Sequence, residues 1–65
     1  MIKVTRLNQS GFVLNHSLIK FVESRPDTTI TLLNDEKVVV RERVDEVIDR
    51  VIDYERRVRL FKEEV

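Results

Sequence analysis

The chain has 65 residues, with 12 Lys and Arg against 12 Asp and Glu, one histidine and no cysteine. That length leaves room for one domain, and the zero formal net charge argues against a uniformly basic nucleic-acid binder. The cysteine and histidine counts exclude a disulfide, a thiolate metal site and a paired-histidine metal site within the chain.

Residues 1–41 read as strands, because Val, Ile, Thr and Phe fall in short runs broken by turn residues. The first strand spans residues 2–7. Asn8-Gln9-Ser10-Gly11 then forms a turn, with Gly11 able to take a positive φ. The second strand spans residues 12–15, and Asn15-His16-Ser17 makes the next turn. Residues 18–23 fit a strand or one helical turn, and the placement of Ile19 and Phe21 against Leu18 and Val22 favours the strand. Arg25-Pro26-Asp27 is a turn in which Pro26 presets φ. Over residues 28–33, Ile30 and Leu32 alternate with Thr29, Thr31 and Leu33, as in a half-buried strand. Asn34-Asp35 reads as a tight hairpin turn. The return strand over residues 37–41 puts Val38 and Val40 on one face and Val39 on the other. Short connections predict an antiparallel meander of four to five strands.

Residues 43–63 read as one long amphipathic helix, free of Gly and Pro. The fold class is therefore α+β: one domain over residues 1–65, with the sheet in 1–41 and the helix in 43–63. Glu46–Arg50, Asp53–Arg57 and Glu55–Arg59 are spaced as i,i+4 ion pairs with the acid first. Val44, Val51, Val58 and Val65 repeat every seven residues, and Val47, Tyr54 and Phe61 repeat three later. That is an a/d heptad pattern. Ile48 and Ile52 widen the apolar stripe in the first half. A broad stripe suits a sheet and a narrow seam suits another helix. Residues 44–52 are thus expected to dock on the chain's own sheet. A helix of about 30 Å overhangs strands typically under about 20 Å long. Tyr54, Val58 and Phe61, continuing the line of Val51, are expected to reach a partner; the alternative is that they too cover one intrachain core.

Little catalytic chemistry is legible. His16 is the one candidate for acid–base work near neutral pH, and beside Ser17 in a turn it reads as a solvated histidine. One glycine cannot build a phosphate-binding loop, and no cofactor is expected. Asp45, Asp49 and Asp53 form an acidic column, a solvated face or a docking stripe for a basic partner. Arg56, Arg57 and Arg59 suit the negative end of the helix dipole. Arg6 is a long cation in an apolar, β-branched strand; it reads as a snorkelling surface residue or as a contact residue. No apolar run is long enough to span a membrane. The opening Met1-Ile2-Lys3-Val4 lacks the features of a signal peptide, so a cytoplasmic location is expected. A core this small is commonly reinforced, and without disulfide or metal the expected reinforcement is a homo-oligomer.

Several blocks together resemble the SwrD/FlbD family of bacterial flagellar accessory proteins. They are Met1-Ile2-Lys3-Val4-Thr5-Arg6-Leu7-Asn8, Phe12-Val13-Leu14-Asn15, Pro26-Asp27-Thr28 with Ile30-Thr31-Leu32, and a Val-rich strand entering an acidic Glu-Val-Ile helix. The resemblance covers about the first 55 residues. It implies a small cytoplasmic protein associated with motor power and swarming, located at the flagellar base, without a catalytic site to transfer. Thr5, Arg6, Asn8, Pro26, Asp27 and Thr28 are the matching positions. The chain departs from the family pattern at the first turn, where Gly11 comes late, and at Asn34-Asp35, where Asn-Gly is usual. It departs again at the helix start, where Arg43 holds the Ser position of a Ser-x-x-Glu capping box.

The resulting expectation is a non-enzymatic module acting through protein–protein contact. Its partners are itself and flagellar motor or export components, with no membrane insertion. Arg6, Val51, Tyr54, Val58 and Phe61 are the candidate contact residues. The alternative is an RNA-binding regulator of the CsrA kind, to which Val40-Arg41-Glu42-Arg43-Val44 is loosely similar. That family's glycine blocks are missing here.

Overall fold

The computed structural model describes residues 1–63, with side chains described through Leu60. Five strands run in chain order: β1 (Ile2–Thr5), β2 (Gly11–Leu14), β3 (Ile19–Glu23), β4 (Thr28–Leu32) and β5 (Lys37–Val40). Helix α1 (Val44–Glu63) follows. The α+β class and the antiparallel strand succession are as the sequence predicts. The strands divide into two sheets, β1-β2 and β3-β4-β5. A single bridge between Arg6 and Val40 joins them, with the Arg41 N–H donating to the Thr5 carbonyl at 2.8 Å.

Both hairpins β1-β2 and β4-β5 turn through the same kind of three-residue loop. In the first, the Gln9 N–H donates to the Arg6 carbonyl and the Arg6 N–H to the Ser10 carbonyl, both at 2.9 Å. In the second, Asp35 N–H bonds Leu32 O at 2.9 Å and Leu32 N–H bonds Glu36 O at 2.8 Å. The third loop residue is left-handed in each, with φ 73° at Gln9 and 68° at Asp35. This is the loop in which a left-handed residue closes a turn and restores the strand register. Asn8 and Asn34 hold equivalent places, and the Oδ1 of each accepts the backbone N–H two residues on, as turn asparagines do. Gly11 does not supply the positive φ: it is the first residue of β2, and no glycine has one. The second hairpin is likewise longer than the two-residue turn expected at Asn34-Asp35.

The segment that fits a strand or a helical turn is a strand from Ile19 on, as the placement of its apolar residues favours, and the turn before it is helical. One turn of 3-10 helix, His16–Leu18, is capped by Asn15, and the chain then becomes extended at Ile19. A bulge between Ile19 and Phe21 shifts the register of β3 on β4. The core comprises Ile2, Val4, Leu14, Ile30, Val40 and Val47. On β5, Val40 is buried, Val38 half-buried and Val39 exposed, as the alternation predicts.

At the helix entrance, the Arg43 N–H donates to Glu46 Oε1 at 3.1 Å. This is the Glu half of a capping box; arginine cannot supply the other half. Val47 is the helix residue driven fully into the core, with Val51 and Tyr54 packed around it. Ile48 and Ile52 do not dock on the sheet as expected: they are 48% and 45% exposed. The helix meets the sheets mainly along β1, a strand of four residues. One short strand can cover one narrow stripe, and the seven-residue repeat through Val47, Val51 and Tyr54 takes that place.

Candidate interaction surface

Strand β1 has one partner, β2. Its other edge would leave main-chain donors and acceptors open to pairing with another chain. Side chains fill much of that edge. Glu42 Oε1 accepts the Thr5 N–H at 2.8 Å, and Glu42 Oε2 accepts the Thr5 hydroxyl at 2.8 Å. Arg50 Nη1 donates to the Lys3 carbonyl and to Glu42 Oε2, both at 2.7 Å. A carboxylate thus stands where a neighbouring strand's carbonyl would accept, and a guanidinium where its N–H would donate. The arrangement locks α1 to β1 beside an open groove lined by Lys3, Thr5, Phe12, Val13, Glu42 and Arg50.

The Glu42 side chain is 7% exposed. Burial alone would raise its carboxyl pKa. The Thr5 N–H, the Arg50 guanidinium and the Thr5 hydroxyl overcome that and bring it from 4.5 down to about 2, because each bond favours the ionised form. The expected partner of Arg50 was Glu46, one turn earlier. Instead Arg50 turns to Glu42, and Glu46 to the helix start.

His16 corrects a second expectation, since it is not a solvated turn residue. Its side chain is 11% exposed, with Nε2 at 2.6 Å from Glu55 Oε1. Its ring stands edge-on to Tyr54, centroids 5.1 Å apart, a favourable aromatic geometry. The bond to His16 holds the Glu55 carboxyl below its usual range. Glu55 therefore pairs with His16 rather than with Arg59, and among the described residues Asp53 and Arg57 form no ion pair.

Of the contact residues read from sequence, Val51, Tyr54 and Val58 follow one another along one line of α1, and Arg6 comes from the β1-β2 hairpin. Arg6 lies on the hairpin with its guanidinium 4.2 Å from the centre of the Phe12 ring, a cation–π contact. Val51 and Tyr54 face the chain's own core. Val58 is half-buried, and the Phe61 side chain lies outside the described residues. Asn8 shapes its loop, Thr5 serves the Glu42 cluster, Pro26 follows a cis peptide, and Asp27 O accepts the Thr29 hydroxyl. Thr28 opens β4 opposite Val40. The helix instead presents Ile48, Ile52 and Leu60 to the outside. Asp45, Asp49 and Asp53 are exposed, as a solvated face requires.

Sequence reasoning missed Glu42 and His16. The one available signal for Glu42 was its place between a strand end and a helix start, where a carboxylate can serve both. Among the described residues, no helix is long and apolar enough to cross a membrane. Searches among curated proteins and among solved structures found no match, and the RNA-regulator alternative gains no support from them. The model of the family FlbD, described as flagellar and swarming motility proteins, matches residues 1–59, and the chain belongs to that family.

Proposed function

We infer that this chain supports motor power and swarming by contact, as a non-enzymatic accessory protein whose partners are flagellar motor or export components and other copies of itself. It would do so on the cytoplasmic side of the flagellar base. The family is one of motility proteins and not a known enzyme family. The observation that carries the reading is the exposure of Ile48 and Ile52 one turn apart on α1. Scattered single exposed apolar residues are ordinary, whereas Ile48 and Ile52 adjoin on one helix face and make contiguous apolar surface, the kind that contact sites use.

The test is swarm expansion in a motile strain whose own copy is deleted and replaced by Ile48→Ser with Ile52→Ser. Both positions are about half exposed, so the fold should persist, which circular dichroism of the purified variant checks. The expected result is swarming reduced towards that of the deletion strain at normal protein abundance. Full swarming by the variant would overturn the reading.

A further inference from the structure

The exposed side of α1 carries an ordered series. Asp45, Ile48, Ile52, Arg56 and Arg59 follow one another at three- and four-residue steps, so they line one ridge of the helix. All five are exposed. Among the described residues, Asp45, Arg56 and Arg59 take part in no ion pair. The ridge is thus acidic at one end, apolar in the middle and basic at the other.

We propose that a second copy of this chain packs antiparallel along this ridge, with the two-fold axis at Ile52. In that arrangement Ile52 meets the partner's Ile52. Ile48 lies on the methylene stem of the partner's Arg56, which can keep its charged head in water. Asp45 faces the partner's Arg59 across each end. A parallel pairing sets Asp45 against Asp45 and Arg59 against Arg59, and like charges so placed are repelled. Charge order therefore selects the antiparallel self-pair. This seam differs from the Val51–Tyr54–Val58 line, since Val51 and Tyr54 are occupied by the chain's own core. The proposal rests on the contact-based reading above and names one partner for it.

The chain has no cysteine, which permits a direct test. Ile52→Cys and Asp53→Cys are compared under mild oxidation, alongside sedimentation of the unmodified full chain over a concentration series. The proposal expects a concentration-dependent dimer and disulfide-linked dimer from Ile52→Cys well in excess of that from Asp53→Cys, one helical step off the ridge. Arg59→Asp should weaken association by about tenfold, and adding Asp45→Arg should restore it. Circular dichroism confirms that each variant is folded. A single-chain mass at every concentration overturns the proposal. So does equal cross-linking at the two positions, or a charge reversal that is not restored. If the mass is that of one chain while the serine variant loses swarming, self-pairing fails and the contact reading stands.

Discussion

Glu42→Ala is expected to lower the folding free energy by about 2–3 kcal/mol, a large share of the roughly 3–10 kcal/mol available to a domain of this size. The substitution removes three bonds of 2.7–2.8 Å at once. It leaves the Thr5 N–H without its acceptor on an edge that no strand covers. Breaking a fully buried pair costs more, but the Arg50 side chain is 40% exposed and can return to water. Glu42→Gln should lose less, because an amide oxygen still accepts from Thr5. Urea unfolding followed by circular dichroism measures both.

The same carboxylate predicts an acid dependence. Its pKa is about 2 in the folded chain against an ordinary 4.5, so the unfolded chain binds the proton more readily. The stability it contributes is complete above pH 4.5 and is lost as pH falls towards 2. Stability should therefore decline across that window, and Glu42→Gln should flatten the decline. Glu55 is also held low by His16 and adds to the same trend. Glu55 is exposed, so added salt should weaken its share and leave that of Glu42 largely in place. An unchanged acid profile in Glu42→Gln would mean that the carboxylate is not bonded as described.

Two isoleucines provide the second large contrast. Ile30→Ala should cost about 3–4 kcal/mol, whereas Ile48→Ala should change stability by no more than about 0.5 kcal/mol. Ile30 is 0% exposed and sits in the middle strand of its sheet, opposite Val22 and Val38. Removing its side-chain carbons leaves a cavity that three hydrogen-bonded strands cannot close. Ile48 is 48% exposed, and alanine is the better helix former. Denaturant midpoints on the two variants give the comparison. Similar losses at both positions would show that the helix docks through Ile48, as its sequence first suggests.

Alternation in the chain was enough to expect β5, with Val38 and Val40 inward and Val39 outward, because period two depends on neighbours alone. The seven-residue repeat likewise pointed to Val47 and its line. The width of the buried stripe was not legible: Ile48 and Ile52 fit a broad docking face in sequence, and only the narrowness of β1 leaves them outside. The first hairpin loop, at residues 7–9, differs from the sequence expectation for a similar reason. Glycine is the usual bearer of a positive φ, but loop length, set by the pairing of Arg6 with Ser10, puts Gln9 there. Glu42 was the least legible of all. A glutamate flanked by two arginines reads as solvated charge, and its burial comes from Thr5, 37 positions away. His16 and Glu55 are 39 positions apart. Neither meeting leaves a periodic trace.

The most direct test of the contact account is the torque of single flagellar motors, measured from bead rotation in cells whose sole copy carries Ile52→Lys. The account predicts torque reduced towards that of cells lacking the chain, with the variant folded and present at normal abundance. Full torque from the folded variant would contradict it.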